Sequence, residues 1–192
     1  MSKGVSKIPQ PDAGLIESCI KGDVHAFRIL VEKLQTYAYT LAFRILLNEE
    51  EAKDAVQDSF IKVWIHLGKY NGKYLFTTWM YRIVVNTCID RLKEVKKQSE
   101  IYSDSISDSN NAEDSIINRE LAKQIRQLAK GLPQKQRIIF ILNDLQGLSL
   151  DEASEVLNMP KGLVKSNLYY ARESIKEKLL KTEEWRSYEI VR

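Results

Sequence analysis

The stretch Ser149-Leu-Asp-Glu-Ala-Ser-Glu-Val-Leu-Asn-Met-Pro-Lys-Gly-Leu-Val-Lys-Ser-Asn-Leu-Tyr-Tyr170 has an unusually clear local pattern. Ser149 and Glu152 form a capping box, in which each side chain satisfies the other residue's backbone N–H. A short helix follows, Leu150 to Leu157, with Ala153, Val156 and Leu157 facing inward. Asn158-Met-Pro160 makes a tight turn, and Asn tolerates the left-handed backbone such a turn needs. A longer helix then runs from about Lys161 to Leu180. Two helices joined by three residues make a helix-turn-helix pattern, whose second helix would enter a DNA major groove. This block alone also fits a helical hairpin with no nucleic-acid role.

Upstream, residues 115–130 read as a helix stopped by Gly131. Pro133 suits the first turn of the next helix and Gly147 its C-terminal cap. Residues 119–181 therefore form a four-helix unit, and residues 182–192 a short tail that carries Trp185. Before this unit lies an acidic bridge. Residues 99–118 hold five acids, no base, six serines and the pair Asn110-Asn111. Such a stretch cannot bury enough apolar surface to order itself and reads as a flexible linker. Residues 1–98 carry 15 bases and 11 acids, and residues 119–192 carry 14 and 10. Two mildly basic blocks thus flank an acidic tether.

The first block is also helical. Asp23 caps a helix running to about Leu47, with Phe27, Leu30, Val31, Leu34, Ala38, Leu41 and Ile45 at steps of three and four. Asn48-Glu-Glu-Glu51 looks like a capping box with acids where the helix dipole favours them. Ala52, Ala55, Val56, Phe60, Val63, Trp64 and Leu67 continue at helical spacing, with Val56, Val63 and Trp64 best read as core. Gly68 and Asn71-Gly72 break the chain. Thr77 or Thr78 caps the next helix, with Trp79, Ile83 and Leu92 inward. That helix ends in a basic stretch, residues 91–97, so the first unit spans 15–98 behind a tail of residues 1–14. The expected fold class is all-α, with two small helical domains on a flexible tether.

Composition excludes several classes. Cys19 and Cys88 lie far apart with no CxxC, which rules out a disulfide scaffold or Cys-rich zinc site. His25 and His66 have no metal-pair spacing. No nucleophile elbow, P-loop or dinucleotide fingerprint occurs. These residues imply no catalytic group, no metal, no cofactor and no small-molecule substrate. No apolar run approaches the ~20 residues of a membrane span. The N-terminus lacks the apolar core of a secretory signal. The chain reads as cytosolic.

Three runs of the first block belong together: Asp54-Ala-Val-Gln-Asp-Ser-Phe-Ile-Lys-Val-Trp64, Phe76-Thr-Thr-Trp-Met-Tyr-Arg-Ile-Val-Val-Asn86 and Cys88-Ile-Asp-Arg91. The second block adds Leu132-Pro-Gln-Lys-Gln-Arg137, Gly147-Leu-Ser-Leu-Asp-Glu-Ala153, Val164-Lys-Ser166 and Ala171-Arg-Glu173. In this order across an acidic linker, the chain closely resembles the extracytoplasmic-function sigma factors of bacterial RNA polymerase. The resemblance covers about residues 15–180. It implies a protein that binds core polymerase, at the beta-prime coiled coil and beta flap, recognises two promoter elements and helps melt the duplex. It also implies control by an anti-sigma factor, in the family usually membrane-linked, and a role in an envelope or environmental stress response.

The implied roles fall on particular residues. Asp54, Gln57, Asp58, Phe60 and Lys62 would form the polymerase-facing side of one helix. Tyr70, Asn71, Lys73, Phe76, Thr78 and Trp79 would capture the minus-ten element, because aromatic and basic groups together stack unpaired bases and hold phosphates. Asn86 would read a base edge, and Arg82, Arg91 and Lys93 would neutralise phosphates. Phe76, Trp79 and Tyr81 suit helix packing equally well. For the minus-thirty-five element, Lys161 and Lys165 suit phosphates, and Ser166 and Asn167 suit base edges. Tyr169 and Tyr170 would bind or pack, and Arg172 lies further along. The family often places several arginines here, so this chain's upstream element is expected to differ from that of arginine-rich relatives. A free-standing helix-turn-helix regulator and a mimic that only sequesters an anti-sigma factor are the alternatives. The acidic linker would follow the polymerase channel that carries nascent RNA, or serve only as a tether.

Overall fold

In a computed structural model, residues 8–101, residue 129 and residues 131–181 are described. These residues form seven α-helices, one 3-10 turn and one π turn, with no strand among them. The helices are α1 (Ala13–Ile20), α2 (Val24–Leu46), α3 (Glu49–His66), α4 (Phe76–Ile101), α5 (Gln134–Phe140), α6 (Leu150–Leu157) and α7 (Lys161–Lys181). Helix α1 was not expected from the sequence; it is capped by Asp12, whose side chain accepts from Leu15 N at 2.8 Å. The helix expected over residues 115–130 lies outside the described residues except for Ala129.

Local chemistry explains most of the boundaries. The Asp23 carboxylate accepts from the backbone N–H groups of His25 and Ala26, which starts α2. Leu47 ends α2 with a left-handed backbone at φ 59, a conformation usually left to Gly or Asn. Only half of the expected box forms at α3: the Asn48 side chain accepts from Glu51 N at 3.0 Å. At α6 the box is complete, with Glu152 N donating to Ser149 Oγ and Ser149 N donating to Glu152 Oε2. Asn158 takes the left-handed turn conformation at φ 51 and Gly147 has φ 74, both as their residue types dictate. Neither threonine caps α4. The helix begins at Phe76, which puts Thr77 and Thr78 inside its first turn, where both are buried. The backbone of α4 stays helical through Ile101, three residues into the stretch read as linker.

Helices α2, α3 and α4 pack on one another around Leu30, Leu34, Leu41, Ile45, Val63, Met80 and Val84, all essentially fully buried. Burying each such side chain stabilises the fold by roughly 1.5–3 kcal/mol. In the second unit α5 and α7 pack together, and Val164, Leu168, Ala171 and Ile175 line the inner edge of α7. Between α5 and α6 lies a π turn, Ile141–Leu145, closed by Gln146 N donating to Ile141 O at 2.8 Å. This turn carries Asp144 and the Leu145 carbonyl, which meet Arg172 and Arg44.

The two units touch. Helix α6 lies against α4, and the π turn lies against α2. Arg44 Nη1 of α2 donates to the Leu145 carbonyl at 2.5 Å. Gln146 is buried beside it. Its amide oxygen, turned to satisfy both ends of the group, lies 3.3 Å from Arg44 Nη1. The N-terminal segment completes this seam, with Gln10 Nε2 donating to Thr77 Oγ1. A cavity of about 450 Å³ remains between Thr77, Thr78 and Tyr81 on one side and Gln146, Leu148 and Glu152 on the other.

Candidate nucleic-acid interface

The loop before α4 is built from aromatic contacts. Tyr70 meets Phe76 edge-on at 5.3 Å and Trp79 at 5.6 Å, and Phe76 lies 5.5 Å from Trp79. Tyr70 Oη donates to the Tyr74 carbonyl at 2.8 Å. Phe76 is buried and Trp79 half-buried. The three rings therefore brace the loop against one another. Asn71 Oδ1 accepts from Lys73 N, which tightens the turn, and Gly72 takes φ 71. Asn71 and Lys73 stay exposed, and Lys73 Nζ sits 5.1 Å from the centre of the Tyr74 ring. Leu75 is half-exposed at the loop's end; no pattern in the sequence marks it.

Along α4, Trp79, Arg82, Asn86 and Lys93 follow one another at steps of three, four and seven, which places them on a single stripe. Asn86 is exposed and Arg82 half-exposed. Lys93 donates to Asp90 at 2.9 Å on the same stripe, an exposed pair that exchanges easily with solvent. Two residues of the expected set lie elsewhere. Thr78 faces the second unit and is buried there. Arg91 points to α3, where Nη1 meets Glu51 at 2.8 Å and Nη2 meets Asp58 at 2.6 Å, with Asp54 at 3.8 Å. The Asp58 hydrogen bond is the main cause that raises the Arg91 guanidinium further above its ordinary range.

The side chains expected to meet polymerase divide around α3. Asp54 and Asp58 form an acidic edge over Arg91. Lys62 turns to α4 and donates to Thr87 Oγ1 at 3.0 Å. Gln57, next to Asp54 on the helix surface, and Phe60 line a groove of about 820 Å³ between α2 and α3. Val24, Val31, Tyr39, Ile61 and Trp64 also line it. Phe27 packs on Trp64 at 4.8 Å at its floor. Val24 is 70% exposed and Ile61 50%. The sequence holds one signal for this groove: Ile61 is apolar and lies off the Phe60–Val63–Leu67 core stripe.

On α7 the expected residues are partly committed within the fold. Lys161 pairs with Asp151 at 2.8 Å. Arg172 forms a two-pronged bond with Asp144 of the π turn, at 3.0 and 2.6 Å. Ser166 Oγ and Asn167 Nδ2 both donate to the Leu163 carbonyl, at 3.1 and 2.8 Å. Lys165 is exposed with no ion pair among the described residues. Tyr169 and Tyr170 stack edge-on and are each 60% exposed, so neither packs inward.

Comparison with known proteins places this geometry. Residues 30–98 match the family described as Sigma-70 region 2, and residues 122–175 match Sigma-70, region 4. The chain is 33% identical over 176 residues to the ECF RNA polymerase sigma factor SigW of Bacillus subtilis (strain 168), an alignment covering 85% of this chain and 94% of that protein. The chain belongs to the extracytoplasmic-function sigma factors. Its function is promoter-specific initiation of transcription with core RNA polymerase; members of the family are not enzymes. The RNA polymerase sigma-H factor of Pseudomonas aeruginosa is 30% identical over 182 residues, covering 88% of this sigma factor and 94% of that protein. The Bartonella quintana sigma factor RpoE, solved with the anti-sigma factor NepR, shares the fold at TM-score 0.71 and 19% identity, covering 83% of this chain and 99% of that one. CnrH, solved with the cytosolic domain of CnrY, does so at TM-score 0.65 and 23% identity, covering 86% and 94%. No helix among the described residues is long and apolar enough to cross a membrane.

Proposed function

We propose that this sigma factor divides its work among three surfaces. The groove between α2 and α3, with Gln57, Phe60 and Ile61, takes the polymerase coiled coil, and the acidic edge Asp54–Asp58 flanks it. Lys62 and Arg91 hold α3 to α4 and act through that frame. The loop at Asn71 and Lys73, together with Arg82, Asn86 and Lys93, engages the minus-ten element as single strand. Tyr70, Phe76 and Trp79 support that loop, and the half-buried Trp79 offers its ring to a base. The outer face of α7 meets the upstream element.

The observation that carries this reading is the α4 stripe. Cations and an amide share one exposed line that begins at an aromatic-braced loop. Phosphate neutralisation and base stacking both need that pattern. Stacking offers ~1–3 kcal/mol per base against an unstacking cost of a few kcal/mol. Helix α6 lies over the first turn of α4, so the two units separate before DNA is engaged. The protein works in the cytoplasm beside the polymerase, has no catalytic chemistry of its own, and answers to an anti-sigma factor in a stress response.

Transcription in vitro with purified core and a promoter library tests the reading. Specific transcripts that need both components support it. Tight, specific duplex binding by the isolated protein, with no core-dependent transcript, would favour a free-standing regulator.

A further inference from the structure

The outward face of α7 combines features that a solvated helix does not need. Val164, Leu168, Ala171 and Ile175 mark its buried edge. At 100° per residue the opposite side carries Gly162, Leu163, Ser166, Tyr169 and Tyr170. Leu163 is 52% exposed in the first turn, the end of a recognition helix that reaches base edges. Gly162 beside it has open space where a side chain would be, and it does not need a positive φ. A glycine in a helical turn costs stability relative to alanine, and one common use is to let another body approach the backbone closely.

Two polar side chains of the first turns bond to the helix's own backbone. Ser166 Oγ and one N–H of the Asn167 amide both donate to the Leu163 carbonyl, which ties up the serine proton and leaves the amide its second N–H and its oxygen. Leu163 is the aliphatic side chain that projects from the first turn, with the exposed rings of Tyr169 and Tyr170 further along the helix and the exposed Lys165 on another side of it. The major groove offers one characteristic apolar group, the C5-methyl of thymine.

We propose that Leu163 reads a thymine methyl group in the upstream promoter element. Gly162 lets the backbone come close, and Lys165 holds a neighbouring phosphate. The inference rests on the reading that α7 meets that element.

The test uses holoenzyme assembled from core and the full chain. Upstream elements are first selected from a randomised library by transcription. Each thymine is then replaced in turn by deoxyuridine, which removes only the methyl group. At one position wild type should lose affinity about fourfold, the value of one buried methyl. Leu163→Ala should lose nothing further at that position, while Leu163→Met should keep the methyl dependence. Leu163 is exposed, so thermal midpoints of both variants should match wild type. Lys165→Ala should weaken all upstream sequences equally and lower the salt slope by about one. Selected elements lacking thymine, or a methyl dependence that survives in Leu163→Ala, overturn the proposal while leaving the upstream contact intact. Transcription indifferent to the whole upstream element overturns both the proposal and the contact.

Discussion

Arg91 and Cys88 sit one helical turn apart on α4 and show how little a residue's type says about its use. Arg91 suits phosphate binding by charge, yet it is held by Glu51 and Asp58 of α3 and flanked by Asp54. Asp58→Lys would set two cations against each other in a half-exposed pair. We expect it to cost roughly 1 kcal/mol of stability and to weaken core binding. Asp54→Lys sits further out, so it should weaken core binding with stability unchanged. Urea midpoints beside a fluorescence titration with core separate the two effects; normal core affinity in both variants would remove this acidic edge from the polymerase contact. Burial pushes the Cys88 thiol up to about 12 from its ordinary 9.0, and burial also pushes the Tyr81 hydroxyl above its usual 10. The unfolded chain loses these protons first. Stability should therefore hold below about pH 9 and fall as pH rises toward 12. Denaturation midpoints at pH 8 and 10.5 check the direction, and Cys88→Ala should flatten the first part of the fall. A midpoint that rises with pH would contradict the burial seen here. The same burial keeps Cys88 protonated and slow toward alkylating agents in the folded protein.

Helix α4 has a buried face and an exposed stripe. Its inner face, with Met80, Val84, Val85 and Cys88, closes the first core. Its outer stripe holds Arg82, Asn86 and Lys93, which no core contact requires. Asn86→Ala should leave the denaturation midpoint within about 0.5 kcal/mol of wild type, as exposed substitutions do. It should slow promoter opening about tenfold, read by permanganate footprinting or by fluorescence of a labelled minus-ten base. Trp79→Ala removes one of three mutually braced rings, so it should also cost roughly 2–3 kcal/mol of stability. If Asn86→Ala instead unfolds the chain or spares promoter opening, the stripe is not the reading surface.

The two units meet through Arg44 and the π turn, and this contact lies next to the first turn of α4. A partly buried bond from a charged group is worth about 1.5–3 kcal/mol. Arg44→Ala should therefore raise the open population about tenfold or more, provided the closed state is the major one. Small-angle scattering should report a larger radius of gyration for the isolated variant. Anisotropy should report tighter core-free binding to a single-stranded minus-ten oligonucleotide. An unchanged radius together with unchanged affinity would mean that the seam does not restrain the chain.

Periodicity and capping chemistry were enough to mark α2, α3, α6 and α7, because each depends on neighbours within a few residues. Ser149 and Glu152 form their box, Asp23 starts its helix, and Asn158 and Gly147 turn where their residue types allow. The stripe from Trp79 to Lys93 was not read from periodicity: Trp79 reads as inward by spacing, and Arg82, Asn86 and Lys93 were singled out by the family resemblance. Four assignments needed the tertiary structure. Phe60 lines the groove toward α2 while Asp54 and Asp58 meet Arg91 of α4, because α2 and α4 pack on different sides of α3. Arg91 pairs with Glu51 and Asp58 of α3, Arg172 is caught by Asp144, and Thr78 is buried under α6. The π turn has no sequence period, since it depends on one inserted residue and on Arg44, 101 positions away from its partner Leu145. Local hydrogen bonds and side-chain angles follow from adjacent residues. The partner a charged side chain finds across a helix interface depends on how the helices stack, and that emerges only when the whole chain packs.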